Sequence, residues 1–325
     1  MGTGFEFPRH KLPKNRCRRE TEIRCLSPFF SGFRTSEWLL IVFFAYIALL
    51  IPWFPNRARL HLYPVVLLVC AFALIAVFAY GEKTRVFRAV SYVRDWLPLG
   101  LTLLAFREME LFMPRHFGAH LERIWIQWDD RLLAGWHMRA GIEALGKVMP
   151  FYLELCYLLV YAVAAYCVIV LYASKKRNLV DRFFVIYLTG TLLAYALFPY
   201  FPSQPPRIAF PASSAPHVTT WVRTLNLAIL NAATIHVGVF PSAHVSSAFS
   251  AAWAMFLLLP RRKAVGWVFV FYALSVAVAT VYGRYHYIAD VAAGFAVSLA
   301  AAGVCLVFRA RRAAPPAAPA ATTEA

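Results

Sequence analysis

Long apolar blocks recur along this chain, and about 20 such residues in a row is the length that crosses a bilayer as a helix. Inside hydrocarbon every backbone N–H and C=O must be satisfied within the protein, so a spanning segment is either helical or part of a closed barrel. Continuous apolar runs of this length, without two-residue alternation, select the helix. Blocks near 37–55, 61–80, 97–113, 151–173, 183–201, 242–259, 265–282 and 286–308 predict an all-α integral membrane bundle of about eight transmembrane helices. Arg107, Glu108 and Glu110 crowd the end of the third block, which leaves a half-span or an interfacial segment open there.

Net charge is +17, with 33 Lys and Arg against 16 Asp and Glu, a balance that in a soluble protein would suggest nucleic acid. Here the basic residues lie between apolar blocks, so membrane topology accounts for them and no nucleic-acid partner is expected. With an inside N-terminus, 22 Lys and Arg fall on the cytoplasmic side and 11 on the other. Eight spans thus predict both termini in the cytoplasm, in an inner (plasma) membrane of bacterial type. A seven-span count would put the basic turn Arg261-Arg262-Lys263 outside, which the charge rule disfavours.

About 36 polar and basic residues precede the first block and no small-residue cleavage site follows it promptly, so the block reads as a retained anchor. The expected organisation is a basic cytoplasmic segment 1–36, N-terminal spans with an external segment over 37–150, a second transmembrane unit over 151–312, and a disordered Ala/Pro-rich tail 313–325. Within 114–150, Trp125, Trp128 and Trp136 stand among Arg and Asp, the mixture of a helix lying at headgroup level, and this stretch reads as an external amphipathic cover. Six cysteines form no spaced set, with Cys17 and Cys25 in the basic segment and Cys70, Cys156, Cys167 and Cys305 in apolar blocks, so neither a disulfide framework nor a zinc site follows.

Three polar patches interrupt the apolar pattern, and the topology puts all three at one membrane face. The first, Pro202-Ser203-Gln204-Pro205-Pro206-Arg207, follows the fifth block; its prolines stiffen the chain around an arginine whose planar donors match phosphate oxygens. The second, Phe240-Pro241-Ser242-Ala243-His244, opens the sixth block. Ser242 can cap the new helix, whose free first-turn amides form an anion site, and His244 sits where an unpaired polar group is costly. The third, Val281-Tyr282-Gly283-Arg284-Tyr285-His286-Tyr287-Ile288-Ala289-Asp290, enters the last block with His286 and Asp290 four apart on one helical face. A carboxylate there can fix the imidazole tautomer and leave the other ring nitrogen free to attack.

Pro241-Ser242-Ala243-His244 and His286-Tyr287-Ile288-Ala289-Asp290 resemble the second and third signature motifs of the type-2 phosphatidic acid phosphatase superfamily, and Pro205-Pro206-Arg207 resembles the end of its first. The resemblance covers about 199–294. It implies that His286 is the nucleophile of a phosphohistidine intermediate, oriented by Asp290. His244 would protonate the leaving group, while Arg207 and Ser242 hold phosphate oxygens, with no metal and no cofactor. Two family positions differ: Tyr200 stands where a lysine is expected and Thr280 where an arginine is, with Arg284 a replacement for the latter on the turn beside His286. In these departures the chain is most similar to the branch containing inositol phosphorylceramide synthase.

The expected protein is therefore a membrane-embedded phosphatase or phosphotransferase acting on a lipid phosphate ester at the extracytoplasmic face, with water, a lipid alcohol or an inositol-type molecule as acceptor. The alternatives are a polyprenyl pyrophosphate phosphatase and, from another class, a transporter using its buried His and Asp. A transporter would more often show broken helices at the midplane or repeat symmetry, and neither pattern is visible here.

Overall fold

A computed structural model describes residues 32–53, 62–84, 87–112, 120–210, 215–233, 235 and 237–313. Most of the basic segment 1–36, Cys17, Cys25, Arg57, Arg59, Arg115 and the tail beyond Ala313 lie outside the described residues. Among those described, the chain is helical and contains no strand. In chain order the helices are α1 (Thr35–Leu50), α2 (Tyr63–Lys83), α3 (Arg88–Glu108), α4 (His120–Asp130), α5 (Met138–Glu143), α6 (Val148–Leu159), α7 (Val163–Ala173), α8 (Val180–Leu197), the single turn α9 (Pro206–Ala209), α10 (Trp221–Ala233), α11 (Ala243–Leu258), α12 (Lys263–Tyr282) and α13 (Ile288–Ala313).

Among the described residues six segments are long and apolar enough to cross a membrane: Thr35–Trp53, Tyr63–Lys83, Val148–Ala173, Arg177–Tyr200, Lys263–Tyr282 and Ile288–Val307. The other two expected blocks are helical for different physical reasons. Helix α11 has only 16 residues, but it packs against α8, α12 and α13, and buries Ala243 and the run from Val245 to Ala252. A helix enclosed by protein has no need to meet the full hydrocarbon thickness.

The third block starts earlier than its apolar pattern indicates, at Arg88 rather than 97. Arg94 and Asp95, which the hydropathy pattern excludes, are inside the helix because partners neutralise them. Arg94 pairs with Glu37 at 2.6 Å and Glu82 at 2.5 Å, and Asp95 with Arg34 and Arg177, each at 2.6 Å. The resulting network ties α1, α2, α3 and the start of α8 together at one end of the bundle. Outward-facing Val65, Val66, Val69 and Val77 on α2, and Trp267, Val268 and Phe271 on α12, are exposed, the surface a lipid-facing helix requires.

Close approach of α8 and α11 depends on small residues. A Cβ at Gly190 would lie 2.0 Å from Ser250 Oγ, and the Gly190 carbonyl accepts from Ser246 Oγ at 2.9 Å. The Ser/Ala run after His244 is therefore helix packing, as its composition suggests.

Candidate active site

The three polar patches meet at the end of the bundle opposite the ion-pair network. Helix α12 stops in a Schellman arrangement: Tyr285 N–H donates to the Thr280 carbonyl at 2.9 Å and Arg284 N–H to Val281 at 3.2 Å. The left-handed position this motif requires, usually glycine, is Arg284 with φ 63°. Gly283 precedes it because a Cβ there would sit 2.3 Å from the Tyr285 ring. The Arg284 carbonyl accepts from Arg207 N–H at 3.1 Å, which docks the first patch onto the third.

Helix α13 then begins with a one-sided capping box, in which Asp290 Oδ2 accepts from Tyr287 N–H at 2.9 Å. The Asp290 backbone carbonyl accepts from Ser242 N–H at 2.9 Å, joining the second patch to the third. Gly294 makes that contact possible, since a Cβ there would lie 2.4 Å from the Ser242 carbonyl oxygen. Ser242 is fully buried and caps α11, its Oγ accepting from Val245 N–H at 3.4 Å.

His244 and His286 come together although 42 residues separate them. His286 Nδ1 lies 3.3 Å from Asp290 Oδ2, and its Nε2 lies 3.3 Å from His244 Nδ1. Burial first, then the Arg207 charge, take the His286 imidazole down to about 3 from 6.5, with a bond to the Val239 backbone opposing them. In the tautomer that donates Nδ1–H to Asp290, the Nε2 lone pair faces His244. Tyr157 stacks on His244 with centroids 5.1 Å apart, and Tyr161 meets it edge-on at 5.2 Å. The cavity at the two histidines is about 30 Å³ and includes Arg207, Ala243, Tyr285 and Val239 in its wall.

A wider cavity of about 270 Å³ adjoins it, lined by Arg207, Arg223 and Arg284. Arg207 belongs to both walls, whereas Arg284 lines only the wider one. Arg223 and its partners were not singled out in the sequence. Its Nη1 donates to Glu154 at 2.7 Å, and Glu154 also accepts from Tyr285 Oη at 2.6 Å and Asn226 Nδ2 at 2.8 Å. A glutamate inside an apolar block was the available signal. Asp129 was hidden in the amphipathic stretch, yet it is wholly buried. It accepts from Arg284 Nη1 at 2.6 Å and from Ile288 N–H at 2.9 Å, so α4 holds both the last turn and the start of α13. Burial, against the pull of Arg284, raises Asp129 to about 6. Trp125 stacks on Phe240 at 5.1 Å, and Glu122 accepts from Gln204 N–H at 3.1 Å, so α4 touches all three patches.

Neither departure from the expected pattern brings a new charge. Tyr200 bonds to Tyr46 at 3.1 Å, and Thr280 contributes its backbone carbonyl to the turn. Among the described residues no group of three His, Cys, Asp or Glu side chains is arranged to hold a metal ion.

The structure is an all-helical membrane bundle that brings two facing imidazoles, a carboxyl and an arginine together at one end. The PAP2 superfamily matches residues 124–304, more than half of the chain, and the chain belongs to that superfamily. The match takes in α4 as well as the three patches, in keeping with the contacts of Trp125 and Asp129. Membership supports a function of the phosphatase or phosphotransferase type. No curated protein and no solved structure matches the chain.

Proposed function

We propose that the protein is a phosphoryl-transfer enzyme for lipid phosphate esters, working through a phosphohistidine on His286. The observation that carries this reading is the line Asp290–His286–His244, with 3.3 Å on either side of the His286 ring. In the first step the His286 Nε2 lone pair forms the N–P bond while the ester P–O bond breaks. Asp290 takes the Nδ1 hydrogen bond and holds the tautomer. A bound phosphate places negative charge beside His244 and favours its protonated form, which delivers the proton to the departing alkoxide. In the second step water or an alcohol gives its proton to His244, attacks phosphorus and releases Nε2.

Arg207 and the free amides at the start of α11 would stabilise the charge on the transferring group. This assignment gives the chemistry to the chain's own groups and requires no cofactor. Ser242 contributes by fixing the α11 start. The substrate's chains would stay in the bilayer while its head reaches the arginines. The PPR form of the first patch and the Tyr-His-Tyr sequence before Asp290 favour the branch containing inositol phosphorylceramide synthase, with an alcohol as acceptor. Purified protein given labelled lipid phosphates, with and without a lipid alcohol or inositol, tests this directly. Label transferred to the alcohol marks a transferase, release as free phosphate marks a phosphatase, and neither product with any lipid overturns the reading.

The charge asymmetry supports a site on the outside and the basic turn at 261–263 inside. In a chain freed of its native cysteines, Leu145→Cys should react with a membrane-impermeant thiol reagent in intact cells and Ala264→Cys should not. Labelling of the second alone would reverse the orientation.

A further inference from the structure

The wall of the cavity at the histidines mixes two kinds of side chain: His244, His286 and Arg207 are polar, and Phe106, Phe198 and Ile235 are apolar. Phe106 stands apart from the rest because it comes from α3, which lies outside the residues 124–304 that the superfamily matches. Its ring is braced from behind. Tyr195 on α8 lies 5.6 Å from it, centroid to centroid, and itself packs on Phe43 of α1 at 6.4 Å and on Phe198 at 5.7 Å. Tyr46 of α1 donates to the Ala196 carbonyl at 2.9 Å, and the turn Met109–Phe112 that follows α3 touches the turn Phe198–Tyr200 just before the first patch. A ring held among close-packed neighbours resists added bulk, because making room for it displaces them too.

We infer that Phe106 is a specificity-determining residue of this site, limiting the width of the leaving alcohol at the carbons next to its oxygen. The inference rests on the proposed phosphoryl-transfer reading. In an in-line displacement the alkoxide departs on the side away from the attacking His286 Nε2. His244 stands there, 3.3 Å from Nε2, and would protonate it. Tyr157 stacks on His244 and shares the cavity wall with Phe106, so the first carbons of the departing alcohol meet this aromatic part of the wall. A fixed apolar ring accepts a straight methylene chain and excludes a branch beside the phosphate.

The test compares kcat/KM of the purified full chain for two labelled isomers, decyl phosphate and 2-butylhexyl phosphate, which carry the same apolar carbon but differ in width beside the phosphate. The parent should favour the straight isomer by about tenfold or more, the scale on which a fitted apolar pocket discriminates. The ratio should fall in Phe106→Leu and approach one in Phe106→Ala, through faster turnover of the branched isomer. The leucine variant makes the smaller cut and reports the trend if the alanine variant fails to fold. Leu104→Ala loosens the packing of the same helix outside the cavity wall and should keep the parent's ratio. Equal use of the two isomers by the parent overturns the inference. So does a ratio that both Phe106 variants keep, that falls only because the straight isomer slows, or that Leu104→Ala lowers as much as Phe106→Ala. Phosphoenzyme formation from an aryl phosphate in the same preparation separates the two claims. With it, an unchanged preference or failure on both decyl esters removes the specificity role alone. Without it, and with neither ester turned over, the phosphoryl-transfer reading falls and takes the inference with it.

Discussion

The two ends of this bundle both bury arginines, but they treat them differently. At the end formed by the starts of α1, α3 and α8, Arg34, Arg94 and Arg177 face Glu37, Glu82 and Asp95, and the charges close on one another. At the opposite end, among the described residues, Arg223 pairs with Glu154, Arg284 with Asp129 and Arg207 with no carboxylate, and the buried atoms without a partner include Arg284 Nε and Nη2 and Asp290 Oδ1. Buried polar groups are normally satisfied, and a closed network of this kind fixes helices in place.

This contrast predicts opposite outcomes for arginine variants at the two ends. Arg94→Ala would leave Glu37, 1% exposed, without its main partner, and should cost about 3–5 kcal/mol of stability. Its turnover per folded molecule should remain close to that of the parent. Arg207→Lys keeps the charge and strands no carboxylate, so its melting temperature should stay near the parent's while turnover falls by about tenfold or more through loss of paired donors. Thermal unfolding and kinetics on the two variants would blur the distinction if Arg207→Lys unfolded early or Arg94→Ala lost catalysis while folded.

A smaller effect concerns the protonation of His286. Its folded value of about 3 lies below the ordinary 6.5, so the unfolded chain takes up a proton that the folded one refuses. This group therefore costs the fold nothing above 6.5 and progressively destabilises it as pH falls from there toward 3. The ring ¹⁵N shifts of His286 should stay flat between pH 7 and 5. A titration centred near 6.5 would show that the ring is neither shielded by burial nor repelled by Arg207.

How much of this was legible in the sequence depended on whether a partner was local. Each of the eight apolar blocks contains a helix, because hydrophobic length is a local property. His286 and Asp290 share one face through a four-residue spacing, and the Ser242 cap is likewise readable from its neighbours. Arg94 and Asp95 were excluded from the third block because the partners that neutralise them lie in other helices. Arg223 with Glu154, and Arg284 with Asp129, are 69 and 155 positions apart, so neither pair leaves a pattern in the chain. Arg284 was expected beside the transferred phosphate on its nearness to His286 in sequence. The turn places it, paired with Asp129, in the wall of the cavity that adjoins the histidines.

If His286 attacks and His244 moves the proton, as proposed, the covalent intermediate can be trapped in one histidine variant and not in the other. Parent, His286→Ala and His244→Ala would be mixed with a labelled aryl phosphate, whose leaving group needs little protonation, and stopped without acid. His286→Ala should form no covalent phosphoenzyme. His244→Ala should accumulate one, because its first step is relieved of the need for an acid while its second still lacks a base. The label should be lost in acid and kept in base, as a phosphoramidate is. A covalent label that persists in His286→Ala, or equal behaviour of the two variants, would contradict the account.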